Sequence, residues 1–232
     1  MDDRDRALAL HGINKLMRLL LIGFLLISSS ALATGECVVL LHGLLRSASS
    51  MEEMEQAFID EGFEVVNVDY PSRDHPVEDL APLVINKGVG ACPDGSTIHF
   101  VTHSLGGILV RYYLEHHELS RLGRVVMLAP PNKGSEAVDG LKDFPGYHLL
   151  NGPAGMQLGT DENSIPSAMG PVEFEVGIIA GTRTISLILS QFLPNPDDDK
   201  VSVERTKVDG VKDFIAVPHS HPFIMQMPIV IK

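Results

Sequence analysis

A serine between an apolar run and two glycines is the feature of this sequence that most directly suggests chemistry. Ser104 follows Val101-Thr102-His103 and precedes Leu105-Gly106-Gly107. A serine on a sharp turn from a strand into a helix stands clear of the sheet, and small neighbours allow the backbone to fold back. The helix start also supplies positive potential. The pattern therefore predicts that Ser104 is a nucleophile, in preference to a serine that only caps a helix.

Two later segments offer residues that would activate this serine. A serine hydroxyl is a weak nucleophile and needs a histidine base, which a carboxylate must orient. His219 and His221 follow the last predicted strand, and spacing alone does not separate two histidines so close in sequence. Asp197, Asp198 and Asp199 come before them, and we expect at least two of these aspartates to form a solvated acidic turn.

Together these motifs resemble those of the α/β-hydrolase superfamily, in particular its compact bacterial lipases and esterases, including the inositol-deacylase-like branch. The family's nucleophile turn usually reads Gly-x-Ser-x-Gly, and Thr102 replaces the first glycine with another small residue. The resemblance implies the chain order serine, acid, histidine. Alignment of Val201 with the valine of the family's Asp-Gly-x-Val loop selects Asp198 as the acid. His221 is the favoured base because the apolar residues after it are similar to the family's final helix, and His219 stays the alternative.

A loop upstream of Ser104 resembles the family's oxyanion loop. Leu40-Leu41-His42-Gly43-Leu44 lies at the end of the first predicted strand. Acyl transfer needs two backbone N–H groups that face the oxyanion of a tetrahedral intermediate. By position, the resemblance assigns these donors to Leu44 and Leu105. The residues expected to support this arrangement are His42, Gly43, His103 and Gly106.

The surrounding elements must bring these residues together. Short apolar runs alternate with amphipathic stretches, which is typical of βαβ units that build a parallel sheet. The predicted strands span residues 37–42, 63–69, 97–102, 124–129, 175–181 and 213–217, and the predicted helices include residues 49–60 and 105–115. The sequence therefore predicts an α/β fold, a three-layer αβα sandwich with a mostly parallel central sheet of about six strands.

Two further stretches are expected to shape a pocket, and a third is expected to be a functional loop. Residues 69–73 and 128–135 follow the second and fourth predicted strands, at the edge where open α/β sheets hold ligands. Both stretches resemble those of lipase-like family members. Residues 145–171 are rich in glycine and proline without a clear period, which predicts a loop or a short irregular helix. Loops of this length in compact domains usually have a function.

The first part of the chain has the pattern of a targeting segment. Lys15 and Arg18 precede an apolar stretch, and Ala31-Leu32-Ala33 offers small residues for cleavage. We expect residues 1–33 to be a signal peptide or membrane leader and residues 34–232 to form a single domain. The protein would then be exported, either periplasmic or secreted, or anchored by an uncleaved leader. Cys37 and Cys92 would either pair in an oxidising compartment or remain two small buried residues.

The expected reaction is hydrolysis of a carboxylic ester through an acyl-enzyme, with no cofactor and no metal. The predicted loops near the site are rich in apolar residues, which favours a small-molecule or lipid ester and is compatible with contact to a membrane surface. The net charge of −12 argues against nucleic acid as a partner, and the sequence does not determine an oligomeric state. The alternatives are an acyltransferase, a thioesterase, or a catalytically silent relative that binds lipid or an envelope partner.

Overall fold

One six-stranded sheet forms the centre of the computed structural model, which describes residues 35–186 and 188–231. Its strands are β1 (Glu36–Leu41), β2 (Glu64–Val68), β3 (Thr97–His103), β4 (Leu122–Leu128), β5 (Val176–Gly181) and β6 (Asp213–Val217). Every predicted strand is present, and β4 begins two residues earlier than predicted. Each neighbouring pair of strands is parallel. The predicted αβα architecture is therefore confirmed, with a sheet that is parallel in all its pairings.

The order of the strands creates a crevice at one point of the sheet. This order is β2-β1-β3-β4-β5-β6, so β2 and β3, the next two strands along the chain, lie on opposite sides of β1. Open α/β sheets bind ligands where the strand order reverses, beyond the carboxyl ends of the strands. Leu41 at the end of β1 pairs with Thr102 near the end of β3. The loop after β1 and the turn after β3 therefore lie side by side at this point.

Strand β1 is buried on both faces of the sheet. Its side chains alternate, so that Cys37, Val39 and Leu41 enter one apolar cluster while Val38 and Leu40 enter another. A strand that is covered on both faces gains free energy from apolar side chains at every position. This explains why the strand reads as a continuous apolar run instead of an alternating one.

Helices cover the two faces of the sheet. They are α1 (Glu52–Asp60), α2 (Val77–Ala91), α3 (Leu105–His116), α4 (Glu136–Leu141), α5 (Tyr147–Met156), α6 (Ile165–Ala168), α7 (Val203–Thr206) and α8 (Pro228–Ile231), with 3-10 helices at Ala48–Met51, Leu189–Phe192 and Ile224–Gln226. Helices α2 and α3 pack against each other beside the cluster of Val39, whereas residues before and within α1 pack beside Val38. The predicted helix at residues 49–60 is divided into a 3-10 turn and α1.

Helix α2 was not among the predicted helices. Pro82 lies inside it, and proline both lacks an N–H and crowds the carbonyl four residues earlier. The helix nevertheless forms because its buried side chains recur at helical spacing: Val77, Leu80, Ala81, Val84, Ile85 and Gly88. The burial of this face compensates for the proline, and the periodicity of these residues would have predicted the helix.

The glycine- and proline-rich region contains short irregular helices, as its composition predicts. Helix α5 is interrupted at Gly152, whose φ of 66° lies in the left-handed region. A side chain at Gly152 would collide with the backbone carbonyl of Arg73. Glycine is therefore required there both by the backbone conformation and by the close approach of the loop after β2.

A disulfide joins Cys37 to Cys92, with 5.9 Å between their Cα atoms. The bond ties the start of β1 to the end of α2, and both residues are buried. The sequence left open whether these cysteines pair, and in the structure they do.

The predicted leader at residues 1–33 lies outside the described residues. Among the residues that are described, no helix is both long enough and apolar enough to cross a membrane.

Candidate active site

Ser104 occupies the turn between β3 and α3 with a strained backbone. Its φ of 51° and ψ of −116° fall outside the regions that residues with side chains favour. The turn is held by a hydrogen bond of 2.9 Å from the Ser104 N–H to the carbonyl of Leu128. Strained residues of this kind cluster at functional sites, where the surrounding structure enforces them. The geometry is that of the sharp strand-to-helix turn that the sequence predicts.

Two glycines allow the backbone to approach this turn closely. A Cβ atom at Gly106 would lie 2.8 Å from the carbonyl oxygen of Leu41, and one at Gly43 would lie 2.7 Å from Nδ1 of His103. Thr102, which occupies the position of the family's first glycine, is buried in β3, and its hydroxyl points to the carbonyl of Val126 at 3.4 Å. A threonine side chain is therefore accommodated there.

Asp198 and His221 form a buried pair. His221 Nδ1 donates to Asp198 Oδ2 at 2.9 Å, and the His221 N–H donates to the Asp198 carbonyl at 2.9 Å. The other carboxylate oxygen accepts the N–H groups of Lys200 and Val201 at 3.1 and 2.9 Å. Because Nδ1 donates to the carboxylate, Nε2 of His221 is the nitrogen that is free to accept a proton.

Ser104 and His221 line the same cavity, which has a volume of about 410 Å³. His103 also lines it, and His103 Nε2 donates to the carbonyl of His221 at 3.0 Å. Burial and the nearby His221 and Arg46 lower the pKa of His103 well below its usual range, so this ring is neutral. The structure thus brings the predicted serine, histidine and aspartate to one cavity, with the neutral ring of His103 next to that of His221.

The other two aspartates have different partners. Asp197 accepts from the hydroxyls of Thr184 and Ser190 at 3.0 and 2.7 Å. Asp199 accepts from the N–H groups of Ile185 and Ser186 at 2.8 and 2.6 Å. We expected a solvated acidic turn, and this was wrong, because all three aspartates are buried. Both carboxylates instead hold the segment after β5 in place.

The backbone at Asp199 agrees with the register suggested by the family motif. Its φ of 86° lies in the left-handed region that favours glycine. The family's Asp-Gly-x-Val loop has glycine at this position. Asp198 therefore takes the place of the motif's aspartate in geometry as well as in alignment.

His219 lies away from Ser104. Its N–H donates to the carbonyl of Val217, and its carbonyl accepts from the N–H of Arg183. It lines a separate small cavity with Arg183 and Phe223. Of the two candidate bases, only His221 reaches the cavity of Ser104.

The loop after β1 is held by His42, which is fully buried. His42 Nδ1 donates to the carbonyl of Gly43 at 2.9 Å, and Nε2 accepts the N–H of Tyr70 at 3.4 Å. The ring also stacks on Tyr70, with centroids 4.0 Å apart, and the Tyr70 hydroxyl donates to the His42 carbonyl. Burial lowers the pKa of His42 and favours a neutral ring. His42 therefore shapes the loop and does not face the cavity.

Two N–H groups are available near Ser104. Leu105 is the first residue of α3, so its N–H has no partner within the helix. In the part of the chain that the structure describes, the N–H of Leu44 donates to no backbone carbonyl. Leu44 lines the cavity, and Leu105 directly follows Ser104. These are the two donors that the resemblance implies for an oxyanion.

Part of the cavity wall comes from a segment that was not predicted to contribute. Ile185, Ser186 and Leu189, which follow β5, line the cavity. The sequence feature that could have indicated this segment is an apolar run at residues 185–189, outside any predicted strand. Of the two stretches that were expected to shape a pocket, residues 128–135 contribute Pro131 and Ser135 to the lining, whereas residues 69–73 contribute no lining residue. The glycine- and proline-rich stretch contributes Tyr147, Asn151, Gly155 and Leu158.

Solved structures with a similar fold include three hydrolases. The mature form of Bacillus licheniformis lipase BlEst2 has a TM-score of 0.62 at 19% identity, covering 83% of this chain and 87% of that chain. The metagenomic carboxyl esterase MGS0156 has a TM-score of 0.66 at 20% identity, over 82% and 65% of the two chains. Phospholipase PlaB from Legionella pneumophila has a TM-score of 0.62 at 18% identity, over 81% and 53%. This chain thus spans less than two thirds of MGS0156 and of PlaB, and identities this low show the fold alone.

The family is shown by the sequence match. No curated protein sequence matches this chain. The alpha/beta hydrolase family, however, matches it over residues 38–218, which is most of the chain and includes Ser104 and Asp198. The parallel sheet and the turn at Ser104 agree with that match. The chain belongs to the alpha/beta hydrolase family.

Proposed function

We propose that the protein is an exported serine hydrolase that cleaves carboxylic esters, with Ser104 as nucleophile, His221 as base and Asp198 as the acid. The observation that carries this proposal is the buried Asp198–His221 pair at the cavity that Ser104 lines. A carboxylate that accepts from Nδ1 holds the imidazole in one tautomer and stabilises the imidazolium that forms during reaction.

The first half of the reaction forms an acyl-enzyme. Nε2 of His221 takes the proton of the Ser104 hydroxyl while Oγ attacks the ester carbonyl carbon. The carbonyl π electrons move to oxygen, and the N–H groups of Leu44 and Leu105 stabilise the oxyanion. The intermediate then collapses as the bond to the alcohol oxygen breaks. The departing alcohol takes its proton from His221.

The second half releases the acid. His221 removes a proton from a water molecule, which attacks the acyl carbon of the Ser104 ester. The same N–H groups stabilise the second oxyanion, and Ser104 regains its proton from His221 when the intermediate collapses. Every proton is returned, so the proposed cycle requires only the ester and water.

The wall of the cavity favours an apolar acyl group. Leu44, Val138, Leu158 and Leu189 line it. Exposed apolar side chains also occur in the segments that supply the lining, with Phe144 59% and Ile188 73% exposed. Apolar side chains that stay exposed beside a pocket are available for contact with lipids or partners. This supports a lipid ester as substrate and contact between the mouth of the cavity and a membrane surface.

Export is supported by two features. Residues 1–33 have the pattern of a signal peptide or membrane leader. The disulfide between Cys37 and Cys92 is of the kind that persists in oxidising compartments. Fractionation of cells that express the full chain, with blotting of each fraction, would test this location.

The central test uses p-nitrophenyl esters of increasing acyl length. We expect hydrolysis by the wild type and a loss of about 10⁶-fold in kcat for Ser104→Ala, since triad members act as one unit. Ser49→Ala, which changes an exposed serine outside the cavity, is the matched control and should retain full activity. Full activity of Ser104→Ala would contradict the proposal.

Labelling by a fluorophosphonate separates the enzyme from its alternatives. We expect the label on Ser104 by mass spectrometry of the peptide that contains it. A wild-type protein that neither hydrolyses esters nor takes the label would be a catalytically silent relative. Faster turnover of thioesters, or transfer of the acyl group to an added alcohol in preference to water, would instead indicate a thioesterase or an acyltransferase.

A further inference from the structure

Two basic residues lie on the lining of the Ser104 cavity. Arg46 follows the proposed oxyanion donor Leu44 by two positions, and Lys200 follows Asp198 by two positions. One cation thus comes from the loop after β1 and the other from the loop that carries the acid. An apolar ester would need neither of them.

Arg46 is held next to the proposed base. Its Nη2 donates to the carbonyl of Pro222 at 3.2 Å, and Pro222 directly follows His221. The positive charge of Arg46 is among the causes that lower the pKa of His103, after burial and the effect of His221. The guanidinium therefore lies beside the backbone of the residue that follows the proposed base.

Lys200 is held by its backbone. Its N–H donates to Asp198 Oδ1 at 3.1 Å, and its carbonyl accepts the hydroxyl of Ser135. Burial lowers the pKa of its ammonium group, against the opposing fields of Asp199 and Asp198. Lys200 as a whole is nevertheless exposed, so its charge is accessible to an anion, and a bound anion would oppose this lowering of the pKa.

Neither cation has a carboxylate partner among the described residues. The ion pairs of that part of the chain involve Lys133, Lys142, Lys207, Arg124 and Arg205, but not Arg46 or Lys200. Asp199, which also lines the cavity, uses its oxygens to accept the N–H groups of Ile185 and Ser186. Other described cations, such as Arg73 and Lys87, also have no such partner, and what distinguishes Arg46 and Lys200 is that both line the Ser104 cavity.

From this arrangement we infer that the substrate carries an anionic group, a phosphate or a carboxylate, close to its ester bond, and that Arg46 and Lys200 bind this group. The inference rests on the proposed function and narrows its substrate class. A guanidinium presents a planar fork that matches the oxygens of both groups, while an ammonium acts as a compact charge. The apolar wall would hold the acyl chain of the same molecule.

Three esters with one acyl chain and different charge test this selectivity. They are monodecanoylglycerol, its phosphate monoester, and the decanoyl ester of glyceric acid. For the wild type we expect kcat/KM to be at least about tenfold higher for an anionic ester than for the neutral one, since a charged hydrogen bond contributes about 1.5–3 kcal/mol. The phosphate and carboxylate esters show which anion is preferred.

Substitution of the two cations gives the decisive comparison. Arg46→Gln and Lys200→Gln should each lower the anionic-to-neutral ratio of kcat/KM by about tenfold, and the double variant should lower it further. A merely structural effect would lower both rates and leave the ratio unchanged. Lys207→Gln is the matched control, because Lys207 is paired with Glu204 outside the cavity. A wild-type preference for the neutral ester, or an unchanged ratio in the double variant, would overturn the inference.

Binding measurements test the anion site separately from catalysis. Calorimetric titration of Ser104→Ala with decyl phosphate and with decanol should give tighter binding of the phosphate. The additional change Arg46→Gln should weaken phosphate binding about tenfold. If the wild type hydrolyses no ester, the proposed function is wrong, and equal binding of decyl phosphate with and without Arg46 would refute the anion site itself.

Discussion

His221 and Asp198 are joined by two hydrogen bonds, one from the ring Nδ1 to the carboxylate and one from the backbone N–H to the backbone carbonyl. The second bond places the two residues independently of their side chains. Removal of the carboxylate charge should therefore disturb the state of the imidazole more than its position. Substitutions of the Asp198 carboxylate should therefore report on the protonation of His221 while its backbone stays in place.

Asp198→Asn should lower kcat by about 10⁴-fold, because an amide at this position favours the wrong tautomer of His221. Asp199→Asn keeps an oxygen that accepts from Ile185 and should lower kcat by less than about tenfold. Steady-state kinetics on a p-nitrophenyl ester compare the two variants. A larger loss of kcat for Asp199→Asn than for Asp198→Asn would show that Asp199, and not Asp198, is the acid.

His221→Ala should abolish turnover to the same extent as Ser104→Ala, because the two residues act in one proton transfer. His219→Ala should keep most of the activity, since His219 lies outside the cavity. Burst kinetics and fluorophosphonate labelling rates measure both variants. Loss of labelling in His219→Ala alone, with His221→Ala still reactive, would reverse the assignment of the base.

Gly106→Ala should destabilise the fold by about 1–3 kcal/mol, because its Cβ would lie 2.8 Å from a carbonyl oxygen that cannot move away easily. Gly90→Ala is the control in α2, where no atom lies within 4 Å of the added carbon. There the substitution should stabilise by about 0.5–1 kcal/mol through helix propensity. Urea unfolding gives the free energy of unfolding for each variant. Equal effects at the two glycines would show that the close approach at Gly106 is absent.

Replacement of both Cys37 and Cys92 by alanine should lower the free energy of unfolding by about 4 kcal/mol. The disulfide closes a loop of 55 residues, and the cross-link reduces the entropy of the unfolded chain. Urea unfolding with and without dithiothreitol measures the effect. The reductant should destabilise the wild type by a similar amount and leave the double variant unchanged. A response of the double variant would mean that the reductant acts elsewhere.

The stability of the protein should fall as the pH drops below about 6.5. The pKa of His103 lies well below its usual value in the folded state, so the unfolded chain binds a proton first as the pH falls. Above the unfolded value the ring is neutral in both states and adds no pH dependence. Between that value and the folded pKa, His103 should contribute a loss of up to about 1.4 kcal/mol per pH unit.

The variant His103→Asn isolates this contribution. The slope of unfolding free energy against pH should be smaller in the variant than in the wild type across the acidic range. His75→Asn changes an exposed histidine and serves as the control. An identical slope in wild type and His103→Asn would show that His103 is protonated equally in the folded and unfolded states.

Local features of the chain were enough to predict the fold and the position of Ser104. Apolar runs of strand length predicted the sheet, because burial on two faces selects the same residue types wherever it occurs. The glycines around Ser104 predicted its turn, since the backbone requirement acts within a few residues. Helix α2 was not among the predicted helices, although the helical spacing of its apolar residues is present in the sequence.

The partners of Ser104 depended on the tertiary structure. Three adjacent aspartates and two nearby histidines are nearly equivalent as sequence, and their differences arise only when residues distant in the chain meet. The fold pairs Asp198 with His221 and directs Asp197 and Asp199 to the segment after β5. The Cys37–Cys92 bond and the position of Arg46 and Lys200 at one cavity likewise depend on contacts between residues distant in the chain. The sequence by itself determined the sheet and the sharp turn at Ser104, because these are set by local periodicity and backbone sterics. Only the packing of the whole chain decided which charged groups lie next to the sheet and the Ser104 turn.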